Sequence, residues 1–133
     1  AGDRDLALRT VEGFILASIE AVPSGKQNSH AAYNPPSLVG AVVRRGGMAW
    51  NLANAFEQPV RPQGDSGYVV PSAQALDRYY GSLLDTYGGA SFAGAAWLRC
   101  LPEDVELPYL DEFPAAGPET LSGLVRHIVE QGV

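Results

Sequence analysis

Cysteine is almost missing from this chain. Cys100 stands alone, so no disulfide can close within the sequence and no cysteine-based zinc site can be assembled from it. A reducing compartment fits that usage. Histidine is nearly as scarce: His30 and His127 lie far apart, with no second histidine or cysteine beside either. Each reads as an exposed or hydrogen-bonded structural histidine, so neither a metal nor a cofactor is expected. Long apolar runs are missing too. No stretch reaches the roughly 18 residues of a membrane span, and Ala1-Gly2-Asp3-Arg4-Asp5 has none of the apolar character of a signal peptide. A soluble, intracellular protein is expected. Positive charge is in deficit, with 9 Lys+Arg against 15 Asp+Glu and a formal charge of −6. Such a balance opposes polyanions at long range and is not, taken whole, the composition of a nucleic-acid binder. The deficit is uneven. Lys26, Arg44, Arg45 and Arg61 have few acids near them, whereas Glu103, Asp104, Glu106, Asp111, Glu112 and Glu119 crowd the last third. Local binding by the first half stays open. The chain also starts without methionine and enters an amphipathic pattern at once, as a fragment of a longer protein does.

What is present suits one core: 133 residues, 46% of them hydrophobic, make one domain and are short for two. Leu8, Val11, Ile15, Ile19 and Val22 recur at threes and fours, which predicts a helix over about 5–22 with Asp3 as its cap and Pro23 near its end. Pro35-Pro36 force extended backbone, and Leu38 to Arg45 reads as a strand covered on both faces because its β-branched residues are adjacent. The segment 48–56 has too little periodicity to classify. Pro59 and Pro62 mark an irregular passage, Gln63 to Gly67 a turn, and Tyr68-Val69-Val70 a short strand. A second helix is predicted over 72–87, capped by Ser72 and stopped by Gly88-Gly89. Ser91 to Cys100 alternates as a strand. The acidic stretch 101–117 reads as a surface connection anchored by Leu107, Tyr109, Leu110 and Phe113, and 118–131 as a terminal helix with Leu121, Leu124, Val125, Ile128 and Val129 inward. The class is α+β.

The loop between the first helix and the first strand, Val22 to Pro36, gathers a turn, a cation, amides and hydroxyls. Gly25 can take positive φ, so Ser24-Gly25 can present consecutive N–H groups with Lys26 beside them, a small anion-receptive surface. An exposed turn with a solvated lysine is the plainer reading, and composition does not choose between them. Ser24-Gly25-Lys26 is not a phosphate loop of the nucleotide-hydrolysing kind. That motif needs a glycine where Glu20 stands, a Ser or Thr where Gln27 stands, and a strand leading into a helix. Gly64-Asp65-Ser66-Gly67 matches the nucleophile surroundings of trypsin-like proteases only in four common turn residues, and the two β-barrels of such an enzyme do not fit this half-helical chain. Among aromatic residues, Tyr79 and Tyr80 have core spacing, while Tyr33, in the loop, is the candidate for stacking on a base.

The run Val22-Pro23-Ser24-Gly25-Lys26-Gln27-Asn28-Ser29, continued by Ala31-Ala32-Tyr33-Asn34-Pro35 and by Leu52-Ala53-Asn54-Ala55-Phe56-Glu57-Gln58-Pro59-Val60, closely resembles the CasC family. That family supplies the repeated backbone subunit of the type I-E CRISPR surveillance complex, Cascade. The resemblance continues through Leu76-Asp77-Arg78-Tyr79-Tyr80 to the terminal helix. Proteins of the family are more than twice as long, so residues 1–133 resemble the C-terminal portion of the palm of a larger subunit. The family palm is similar to an RNA-recognition motif, a ferredoxin-like fold. By implication, the chain is a non-catalytic, cytoplasmic protein that binds CRISPR RNA and meets target DNA through the guide. Its other partners would be further copies of itself and the other Cascade subunits. Carried over by position, the loop Gly25-Lys26-Gln27-Asn28 would lie near the RNA groove, and with Ser29 and Tyr33 it makes up the expected RNA-binding residues. Lys26 would neutralise a phosphate, Gln27 and Asn28 would bond phosphate or 2′-hydroxyl oxygens, and Gly25 would let the backbone approach. A protein-interaction module using the acidic last third is the alternative.

Overall fold

The computed structural model describes residues 2–21, 35–65, 67–112 and 120–132. Its layers follow from the alternation of side chains along two strands. β1 (Leu38–Arg44) and β2 (Phe92–Arg99) pair antiparallel, with Leu38 opposite Arg99, Gly40 opposite Trp97 and Val42 opposite Ala95. Successive side chains in a strand point to opposite faces. Leu38, Val42, Ala95 and Trp97 accordingly share one core cluster with Ala73 and Tyr80 of helix α2 (Val69–Tyr87). The other face carries Ala96, which is buried, and meets the terminal helix: Gly94 lies against Gln131, and Val43 against Gly132. Both faces are therefore covered, as the adjacent β-branched residues of β1 predict.

Two glycines let this core close. A Cβ on Gly40 would stand 1.9 Å from Cε3 of Trp97, so the indole crosses β1 only because no side chain is there. Trp97 meets Tyr80 edge-on at 5.2 Å. A Cβ on Gly81 would stand 2.4 Å from the Tyr109 ring, which closes α2 onto the segment after β2. The register shifts between Val43 and Arg44, leaving Ala93 as the extra residue on β2, and Gly46 and Gly47 at φ 85° and 73° turn the chain away from the sheet.

The first helix, α1 (Gly2–Glu20), starts before the predicted residue 5 and takes Asp3 into its first turn instead of using it as a cap. Asp3 and Asp5 still favour that end electrostatically. α1 packs on the terminal helix; its Leu8, Ile15, Leu16 and Ile19 are only half-buried, while Val11 is 48% and Phe14 72% exposed. α2 corrects two expectations. It begins at Val69, so 68–70 is not a strand, and Ser72 lies inside the first turn, its N–H donating to the carbonyl of Tyr68 at 3.0 Å. The physical reason is Pro71. At the third helical position its missing N–H would have no partner within the helix, so the proline is accommodated and buried rather than starting the helix after itself. Segment 48–56 contains a short 3-10 helix, Leu52–Phe56, started by Asn51, whose Oδ1 accepts from the Ala53 N–H.

The described part of the acidic connection after β2, residues 101–112, holds a short helix and buried side chains. Leu107 and Leu110 are buried as anticipated, Tyr109 is half-buried, and Phe113 lies outside the described residues. Within it, α3 (Pro108–Glu112) is capped from α2: Oδ1 of Asp77 accepts from the N–H groups of Leu110 (2.8 Å) and Tyr109 (3.0 Å). The last helix, α4 (Leu121–Gln131), starts at the Thr120 cap rather than at 118, and Pro118 lies outside the described residues. Leu124 and Val125 are fully buried; Leu121, Ile128 and Val129 are half-buried. No helix among the described residues is long and apolar enough to cross a membrane. The class is α+β, as expected.

Candidate nucleic-acid interface

All six residues carried over to RNA, namely Gly25, Lys26, Gln27, Asn28, Ser29 and Tyr33, lie in the segment 22–34, outside the described residues. The described flanks define what that segment connects. It leaves the C-terminal end of α1, where the Ala21 N–H donates to Ala17, and returns at Pro35-Pro36 to enter β1. Just inside its return, Ser37, Leu38, Phe56, Tyr68, Leu76 and Leu101 line an apolar hollow of about 360 Å³.

Of the cations noted in the first half, Arg44 is used internally. Its guanidinium lies 4.6 Å from the centre of the Trp50 ring and donates to the Met48 carbonyl, to Oγ of Ser91 and, at 3.5 Å, to the Tyr87 carbonyl. Trp50 in turn stacks on Phe92 at 6.5 Å. This arginine ties the end of β1 to the end of α2 and is not presented to a ligand. Arg45 and Arg61 are exposed.

Sequence reasoning missed the other polar concavity. The second family-like stretch, 52–60, lies along the outer side of α2. Between them run two adjoining hollows of about 330 and 380 Å³, which share Ala55, Gln58, Ala75 and Arg78. Arg61 and Gln74 line the first; Glu57, Tyr79 and Ser82 line the second. The signal available in the sequence was the 74–78–82 row, which stands four residues apart and so falls on one face of a helix. Its convergence with Arg61 is tertiary. Tyr79 is thus half-buried at this groove, while Tyr80 is fully buried with its hydroxyl unpartnered and its pKa pushed up to about 12, chiefly by burial.

The acidic third is a ridge. Glu103, Asp104 and Glu106 are exposed while Val105 and Leu107 between them are buried. Asp111 accepts from Arg99 at 2.8 Å and from the Leu107 N–H at 3.2 Å. His127 is half-buried on α4, and His30 lies outside the described residues, among which no cluster of potential metal ligands occurs.

A family model described as CT1975-like protein matches residues 1–124. No curated protein matches the sequence. Twenty-six chains of solved structures do. A chain of a structure described as "CRISPR RNA-guided surveillance complex" is 27% identical, with a TM-score of 0.81 over 99% of this chain and 47% of its own. A chain of "CRISPR RNA-guided surveillance complex, pre-nicking" is also 27% identical, with a TM-score of 0.78 over 100% of this chain and 37% of its own. The chain thus spans less than half the length of either, and its α+β fold is similar to ferredoxin-like subunits of such complexes.

Proposed function

The chain belongs to the CT1975-like family of Cas proteins, and from that premise we propose that it is part of a non-catalytic, CRISPR RNA-binding backbone subunit of a type I-E Cascade complex. Copies of such a subunit line up along the guide RNA in the cytoplasm, contact one another and the other subunits, and present the guide for pairing with target DNA. Sequence is read by base pairing, while the protein holds backbone and shape. The observation that carries this reading is the likeness, along the whole chain, to a chain of an RNA-guided surveillance complex. The signature in 22–35 and its companion in 52–60 support it. In this reading Lys26 holds a phosphate, Gln27, Asn28 and Ser29 bond backbone or 2′-hydroxyl oxygens, Gly25 admits the close approach, and Tyr33 stacks.

Lys26→Ala tests it by RNA titration over a salt series. Loss of one phosphate contact weakens binding and flattens the slope of log K against log salt by about 0.7. An unchanged affinity and slope contradict the assignment. A second reading, a protein-interaction module, is favoured by the exposed ridge Glu103, Asp104 and Glu106. It predicts the reverse pattern: charge reversal on the ridge abolishes partner capture and Lys26→Ala changes nothing.

A further inference from the structure

We propose that the groove between segment 54–63 and α2 is a second nucleic-acid contact, a seat for the phosphodiester backbone of a single strand with Arg61 and Arg78 as its cations. It rests on the reading above only in that the chain meets nucleic acid; its residues are independent of the loop around Lys26. The groove follows from local chemistry. Pro59 and Pro62 hold the 57–63 segment out of regular structure, so it runs beside α2 as a wall. On α2, Ala73, Asp77 and Tyr80 turn inward and are buried, which leaves the row Gln74, Arg78 and Ser82 on the outer face as the floor.

Charge and lining point to the ligand. The first hollow holds two arginines and no carboxylate, in a chain whose overall charge is −6. Neither Arg61 nor Arg78 forms an ion pair among the described residues, unlike Arg9 with Asp5 and Arg99 with Asp111. Polar groups make up most of the wall of that hollow, which Gln58 and Gln74 line together with Arg61 and Arg78. Arginine with neighbouring amides is the equipment that holds phosphate and sugar oxygens. A docked peptide would instead need a buried apolar anchor at the centre of its site. Arg78 stands where the two hollows meet, so a strand with a phosphate there continues into the second, where Tyr79 offers a ring and Glu57 an acceptor. Glu57 repels phosphate, which places the backbone in the first hollow and the nucleoside in the second.

The test is fluorescence anisotropy of a labelled single-stranded RNA titrated with the protein carrying this chain at low salt and over a salt series. The variants are R61Q/R78Q, the charge-matched control R4Q/R45Q, whose arginines are exposed elsewhere, and Lys26→Ala, each checked for native circular dichroism. R61Q/R78Q is expected to weaken binding at least tenfold and to flatten the salt slope by about 1.4, two contacts at about 0.7 each. R4Q/R45Q should stay within twofold. Equal losses in both double variants, or none in R61Q/R78Q, overturn the groove. If Lys26→Ala weakens binding while R61Q/R78Q does not, the groove fails and the loop stands; the opposite pattern retains the groove and removes the loop. No RNA bound by any form overturns both. A glutamate-rich peptide that binds in an Arg61- and Arg78-dependent way, with no RNA binding, reassigns the groove to carboxylates and overturns the proposal.

Discussion

Asp77 is the one buried charged residue among those described, and it works in two opposed ways. Its Oδ1 caps α3 by accepting from Leu110 and Tyr109, which favours the ionised form, yet burial outweighs those bonds and raises its pKa above the ordinary 3.8. The consequence for stability has a definite sign. A carboxyl whose folded pKa is raised contributes most below the unfolded value, and that contribution is lost as pH climbs from about 3.8 through the folded pKa. Asp77→Asn keeps an oxygen for both N–H groups and removes the buried charge. In urea unfolding, the stability of the native protein relative to Asp77→Asn should therefore fall as pH rises through that window; a difference that does not vary with pH contradicts the claim. Asp77→Ala leaves two N–H groups without their acceptor and should cost about 1–3 kcal/mol for each that stays buried and unsatisfied. Asp77 falls within the family-like run 76–80, but its capping role is not legible there, because its partners lie more than thirty positions away and meet it only after α2 and α3 have docked.

At the scale of elements, legibility tracks how local the cause is. β1 was readable because its run of valines needs cover on both faces, and α4 because Leu121, Leu124, Val125 and Ile128 keep helical spacing. The strand expected at 68–70 was not, since Pro71 reads as a boundary while the folded chain uses it within the first turn of α2. α1 was readable as a helix but not in its weak docking: it buries no residue completely, whereas α2 buries Pro71, Ala73, Asp77, Tyr80 and Gly81. The same substitution should then have opposite signs in the two helices. Gly13→Ala in α1 meets nothing within 4 Å and removes a mid-helix glycine, so it should stabilise by about 0.5–1 kcal/mol. Gly81→Ala in α2 drives a methyl into Tyr109 and should destabilise by about 1–3 kcal/mol. Chemical denaturation of both variants checks the contrast; equal signs contradict the packing described.

For the whole molecule, the two-stranded sheet leaves the outer edges of β1 and β2 without a strand partner among the described residues, and Phe14 and Val11 are open on α1. The two proposed contacts differ in how far the sequence reveals them. The Lys26 loop was recognisable only as a family pattern, since its composition left a solvated turn equally open. Of the Arg61–Arg78 groove only the 74–78–82 row was legible, because its wall exists only once the proline-bearing segment lies along α2. A repeating backbone role makes one demand that neither a single-copy subunit nor a protein-interaction module makes. Native mass spectrometry of the surveillance complex, assembled on guides of increasing length, should show the number of copies of the protein carrying this chain rising with guide length. A copy number that stays constant as the guide is lengthened, or assembly that proceeds equally without guide RNA, contradicts it.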